Sequence, residues 1–291
     1  MSDSALIFLH ISKTGGTTLR SIIQRQYAPE TIYDLDASYF TSRSEDYDIV
    51  FEQRLSALEQ MSDVEKSRYQ CFFNPLGYGL HHILPQSAQY VTMLRDPVDH
   101  YISNYYFAVN KSHHVHHAYI KEQSVTLDNY HEHFEIDNLQ TRRLYSEHVA
   151  QGIYNNELLP VNALETAKRH LEQMAVIGLM EEFDCSVLMM QQVFGWQDVC
   201  YQAKNVAPKR KSLDDLNPHT RSIITEQLGD DMALYAYAEE LFAQQLTQVD
   251  LDWDQALAEF RGANARYNQI QALKSKIRGK IPSFILKALG K

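Results

Sequence analysis

Residues 5–18 run Ala5-Leu6-Ile7-Phe8-Leu9-His10-Ile11-Ser12-Lys13-Thr14-Gly15-Gly16-Thr17-Thr18. Five unbroken apolar residues are the pattern of a strand buried on both faces of a parallel sheet. Beyond them Leu19, Ile22, Ile23 and Tyr27 recur at helical spacing. The stretch between is therefore a strand-to-helix turn that carries a lysine, two adjacent glycines and three threonines. Such a turn lets backbone N–H groups approach an anion, and the helix N-terminus favours negative charge. Lys13 adds a point charge, and Thr14, Thr17 and Thr18 supply hydroxyl donors. The Walker A order is absent, because here the lysine precedes the glycines. The plainer alternative is a helix start that needs positive φ.

The same alternation returns further along. Tyr90–Leu94 is a second apolar strand, ending at Arg95-Asp96-Pro97. Asp96 suits a helix cap and Pro97 the first helical position. Val98, Tyr101, Ile102, Tyr105 and Val109 then share one helical face. A third strand is expected at 175–179, followed by a helical run over 186–194, and helices are expected near 45–70, 160–174 and 218–247. Strands alternating with helices predict an α/β fold, a central parallel β-sheet flanked by helices. Ligands in such sheets bind at the carboxyl ends of the strands, where both motifs fall. Arg95 can fork two donors onto a phosphate, and Ser103 lies about two helical turns further on. Alternatively, Arg95 pairs with a nearby carboxylate.

Composition narrows the classes. The 291 residues are 44% hydrophobic, enough for a sizeable core, and 27 basic against 37 acidic residues give a net −10, which argues against nucleic-acid partners. The charge is uneven. Residues 261–291 hold eight basic and no acidic residues, leaving 19 basic against 37 acidic, a net −18, in the other 260. Within that tail Ile270, Leu273, Ile277 and Ile281 form an amphipathic stripe interrupted by Pro282. We divide the chain into a domain over 1–260 and a basic amphipathic tail over 261–291. The ordinary role of the tail is packing on its own acidic domain; the alternative is peripheral contact with an anionic membrane or a partner. Cys71, Cys185 and Cys200 are odd in number and lie outside metal-ligand spacing. They suggest reduced thiols and a cytoplasmic setting. The amino terminus lacks a basic n-region, and no apolar run reaches membrane-spanning length.

These motifs, in this order, resemble the PAPS-dependent carbohydrate sulfotransferase family, the branch with heparan sulfate 2-O-sulfotransferase and bacterial relatives. The family's H-I-P-K-T-[AG]-G-[ST]-[ST] turn is matched with Ser12 in place of proline, and its R-D-P-x-x-x-x-x-S element by Arg95 and Ser103. Tyr105–Phe107, Asp137–Arg142 and Ile177–Asp184 are also family-like, so the resemblance covers about 5–245. It implies a P-loop-like sulfotransferase fold and the donor 3′-phosphoadenosine-5′-phosphosulfate (PAPS), which leaves as PAP. On that basis Ser12, Lys13, Thr14, Gly15, Gly16, Thr17 and Thr18 hold the 5′-phosphosulfate, and Arg95 and Ser103 the 3′-phosphate. Lys209 and Arg210, in a basic loop over Asn205–Lys211, close over the nucleotide. The implied reaction is metal-free sulfuryl transfer to a hydroxyl, with Lys13 stabilising charge on the leaving oxygen.

One position departs from the pattern. Where the family carries a Gly-His pair that supplies the general base, this chain has Asn74-Pro75. His81 and His82, a few residues on, are the substitutes we name as catalytic candidates. His113, His116 and His117 would share a face if helical, a geometry for a transition metal, but we read them, with His131 and His133, as solvated or acceptor-pocket histidines. No metal is expected. The expected acceptor is a glycan, a glycolipid or a small hydroxylated molecule, because the acidic body suits a long polyanion poorly. Two alternatives stand beside an active enzyme: a PAPS- or PAP-binding module with impaired turnover, and a P-loop kinase, disfavoured by the missing Walker sequence.

Overall fold

The computed structural model describes residues 4–36, 44–112, 114–134, 137–146, 159–203 and 215–278. Five strands, β1 (Ala5–Leu9), β2 (Ile32–Asp34), β3 (Cys71–Asn74), β4 (Ala88–Leu94) and β5 (Val176–Leu179), form one sheet in the order β2-β3-β1-β4-β5. Every pairing is parallel. The fold is α/β, as expected. All five residues of β1 are buried, and Leu9 pairs with Asn74 on one side and Thr92 on the other. The chain leaves β1 toward β2 and β3, then recrosses it to β4. The crossovers therefore diverge at the carboxyl ends of β1 and β4, the usual ligand crevice of such sheets.

Two strands escape the sequence pattern. Ile32–Asp34 and Cys71–Asn74 are too short for a period to register, and the second directly follows a polar helical stretch. The helix expected near 45–70 is α2 (Ser44–Gln60) plus the short α3 (Asp63–Lys66). Ser62 and Glu65 restart it with a reciprocal capping box.

The other helices among the described residues are α1 (Gly16–Ile23), α4 (Pro97–Asn110), α5 (His117–Glu122), α6 (Tyr130–His133), α7 (Leu139–Tyr145), α8 (Ala163–Glu172), α9 (Phe183–Phe194), α10 (Pro218–Gln227), α11 (Gly229–Gln248) and α12 (Trp253–Arg278). The helix expected over 218–247 is thus two, meeting at Leu228. A main core joins the sheet to α1 and α9 through residues such as Phe8, Leu19, Ile22 and Met189. A second cluster covers the outer face of α4 with Val125, Leu127, Leu216 and Ile224.

α11 runs antiparallel to β5. Near the start of α11, Tyr235 donates to Glu181, just past the strand; near its end, Gln245 bonds Ile177 and Met174 at the strand's beginning. α12 packs on α9, where Arg261 pairs with Asp184, and Asn264 and Asn268 bond the Tyr201 backbone. α12 is continuous through residue 261. The three cysteines are free thiols. No helix among the described residues is long and apolar enough to cross a membrane.

Candidate active site

β1 delivers the chain at Leu9 into a turn whose backbone is unusual at two places. Lys13 has φ +67° and Gly15 φ +81°, the left-handed region. A lysine there is held against its preference, while glycine adopts it freely. Gly15 is also closed in by Met180 and Phe183, so a Cβ there would lie 2.5 Å from the Met180 sulfur. Gly16 has another reason to be glycine: a Cβ would sit 2.0 Å from the His10 ring. That imidazole stacks on Phe8 and pairs through Nδ1 with Asp36 at 3.1 Å. Asp36 follows β2 and shares a buried cluster with Asp34 and Arg20, whose guanidinium grips both Asp34 oxygens and lies over Phe73.

α1 begins without a side-chain cap and without an acid in its first turn. This leaves the positive end of its dipole to an outside anion. Thr14 is fully buried, and its hydroxyl donates to the Ile11 carbonyl at 2.8 Å. The hydroxyl proton is therefore spent on shaping the turn. Thr18 is buried as well, whereas Ser12 is exposed.

α4 holds this turn from the side. Its cap is Asp96, which accepts from the Asp99 amide, and Pro97 takes the first position, both as the sequence predicts. His100 donates from Nε2 to the Ser12 carbonyl at 2.7 Å. Burial pushes its pKa down to about 4, so it is a neutral donor at pH 7. Arg95, buried to 7% exposure, donates to the Lys13 carbonyl at 3.1 Å and to Asp99 Oδ2 at 3.1 Å. The Lys13 ammonium lies 4.1 Å above the Phe107 ring. Asp99, Ser103 and Phe107 follow at four-residue spacing, so half-buried Ser103 lies on the stripe of α4 that meets the turn.

The two motifs are therefore one site, joined by a direct Arg95–Lys13 contact. Two carboxyl-side segments hold Arg95-Asp96 in place. Gln140, 1% exposed, accepts from the Arg95 amide at 2.9 Å and donates to the Arg95 carbonyl at 2.8 Å. Glu181 accepts from the Asp96 amide at 3.1 Å and from Tyr235 at 2.7 Å. Asp231 in turn accepts from the amides of Gln140 and Thr141 and from the Thr141 hydroxyl. Burial raises the Asp231 pKa to about 6. Sequence reasoning singled out the segments carrying Gln140 and Glu181 without seeing these roles, and missed Asp36, Asp99 and His100. The histidine one turn after the Asp96 cap was the available signal.

His81 and His82 lie elsewhere. They sit on a short 3-10 turn over Leu80–Ile83, and His81 Nδ1 meets the Tyr90 hydroxyl at 3.0 Å. Tyr90 is four residues before the end of β4, about 13 Å back along the strand from the carboxyl edge. Burial and the neighbouring His82 and His170 lower the His81 pKa. Asn74 is fully buried, donating to the Gly77 carbonyl and accepting from the Leu76 amide. Residues 114–116 form turns before α5, so the helical face imagined for the histidine cluster does not arise there; His113 lies outside the described residues. Among the described residues no group of three His, Cys, Asp or Glu is placed to hold a metal. Lys209 and Arg210 also fall outside the described residues.

A model described as the sulfotransferase family matches residues 2–238. The chain belongs to the sulfotransferase family. No curated protein matches it. Among solved structures it is similar to a sulfotransferase from Alicyclobacillus acidocaldarius, at 16% identity and TM-score 0.42, over 87% of this chain and 100% of that one. Membership makes the protein a transferase of sulfuryl groups.

Proposed function

We propose that the protein transfers a sulfuryl group from PAPS to a hydroxyl of a carbohydrate, glycolipid or small hydroxylated acceptor. The observation that carries this reading is the 3.1 Å contact between the Arg95 guanidinium and the Lys13 carbonyl, which joins two anion-binding motifs in one crevice. A donor with phosphates at both ends of a ribose needs two such poles. The residues fit it: an uncapped helix start and Lys13 form one, and Arg95 with Ser103 the other. When bound, PAPS supplies an electrophilic sulfuryl group whose bond to the 5′-phosphate breaks as the acceptor oxygen attacks.

Lys13 stabilises charge on the leaving phosphate oxygen, a preorganised cation in a partly dry site. Its strained backbone is held by Arg95, and its ammonium is placed by Phe107. Arg95 exchanges Asp99 for the 3′-phosphate on binding, a bidentate pairing that lysine would not reproduce. His100 anchors the turn and, being neutral and buried, takes no proton. The acceptor is uncharged or modestly charged, since a long polyanion meets the net negative body.

One observation favours a second reading, a PAP-binding module with impaired transfer. The position of the expected base is Asn74-Pro75, and Asn74 is committed to a buried turn. Release of PAP from PAPS, followed with and without a panel of glycan, glycolipid and small-alcohol acceptors, separates the two. Acceptor-dependent release supports transfer; tight PAP binding with no release to any acceptor supports the module.

A further inference from the structure

α12 changes character along its length. Its first four turns pack on the body: Phe260 is buried, Trp253 and Leu257 border the core, and Asn264 and Asn268 bond Tyr201. From Gln269 to Ile277 every residue but Gln271 is exposed. Three of them are large aliphatics: Ile270 at 50%, Leu273 at 59% and Ile277 at 62% exposure. At about 100° per residue these three lie within a band of roughly 60°, centred about 150° around the helix from the face that Phe260, Asn264 and Asn268 turn to the body. Extending the same packing would leave the stripe outside. It is a separate apolar face.

Charge says what covers it. On the helical wheel Lys274 and Lys276 fall on opposite sides of the stripe, each roughly 70–90° from its centre, and Arg266 lies within it one turn earlier. Long basic side chains flanking an apolar stripe bury their stems and reach outward to anionic groups. Residues 261–291 carry eight basic and no acidic residues. Pairing two copies through this stripe would set those lysines against each other. An anionic bilayer surface satisfies both the stripe and its flanks.

Placement adds to this. α12 passes Asp184, at the carboxyl end of β5, at Arg261. Ile270 to Ile277 lie about 14 to 24 Å further along the helix axis from that contact. We propose that the stripe Ile270/Leu273/Ile277, with Lys274 and Lys276, docks the protein peripherally on an anionic membrane surface. Docking does not depend on the transfer reaction.

The test is co-sedimentation of the full chain with vesicles of phosphatidylcholine containing about 30% phosphatidylserine, and with phosphatidylcholine alone. The wild type should partition at least about tenfold more strongly onto the anionic vesicles. Ile270→Gln/Leu273→Gln/Ile277→Gln keeps helix propensity and should reduce that binding about tenfold or more. Lys274→Glu/Lys276→Glu should do likewise while leaving the stripe intact. PAP affinity and circular dichroism should match the wild type in both variants, which separates loss of docking from loss of fold or nucleotide site. Failure of the wild type to bind, equal binding to neutral vesicles, or unchanged binding by both variants would each overturn the proposal. So would a concentration-dependent dimer abolished by the glutamine variant without any vesicle binding, which would assign the stripe to a second copy.

Discussion

Gln140→Ala removes a single buried side chain that touches no nucleotide and should still weaken nucleotide binding. The amide group makes two hydrogen bonds to one residue, accepting from Arg95 N at 2.9 Å and donating to Arg95 O at 2.8 Å. Truncation strands both groups in a buried setting, at about 1–3 kcal/mol each, partly relieved wherever water enters. A net destabilisation of about 3 kcal/mol follows, which for a domain of this size lowers Tm by roughly 6–12 °C. Arg95 then loses the frame that aims its guanidinium, and PAP affinity should fall about tenfold. Gln140→Glu keeps the acceptor for the Arg95 amide but not the donor, and should lie between. The assay is thermal unfolding paired with PAP titration on all three proteins. A Gln140→Ala variant within about 2 °C of the wild type, with unchanged PAP affinity, would refute the clamp.

Other expectations follow from the same geometry. Asp99→Asn removes the carboxylate that competes with a phosphate for Arg95 and should tighten PAP binding about two- to fivefold by titration; weaker binding would mean that Asp99 orients the arginine instead. Gly16→Ala drives a methyl into the pinned His10 ring and should cost about 1–3 kcal/mol in denaturant unfolding as well as PAP affinity, and a neutral effect would contradict the packing. His100 has a folded pKa of about 4, below the 6.5 of the unfolded chain, so its contribution is full above pH 6.5 and is lost as pH falls toward 4. Between pH 7 and 4.5 the wild type should lose about 2–3 kcal/mol more than His100→Gln, measured as the change in urea midpoint, and parallel pH profiles would refute it.

The main features of the fold were legible because β1 and β4 are long, apolar and each followed by an amphipathic helix. β2 and β3 were not, because three or four residues cannot display a period, and β3 adjoins a polar helix. The two motifs proposed to face phosphate are readable locally, since Lys13, Gly15 and Arg95 each carry their chemistry in their own side chain or backbone. What supports them is long-range. Gln140 lies 45 residues from Arg95 and Glu181 lies 85 from Asp96, and nothing in sequence spacing encodes a contact that the sheet's crossovers create. Gly16 shows the same limit: it reads as a site for a phosphate's close approach, yet the atom nearest its missing Cβ belongs to His10.

The central claim is that the ends of β1 and β4 form one site for a nucleotide with phosphates at both poles. Calorimetric titration of PAP into the wild type and Arg95→Ala, with ATP–Mg as the control ligand, tests it most directly. Micromolar PAP binding that is lost in Arg95→Ala, with no comparable binding of ATP–Mg, is the predicted result. A folded wild type that does not bind PAP, or that binds ATP–Mg more tightly, would contradict it.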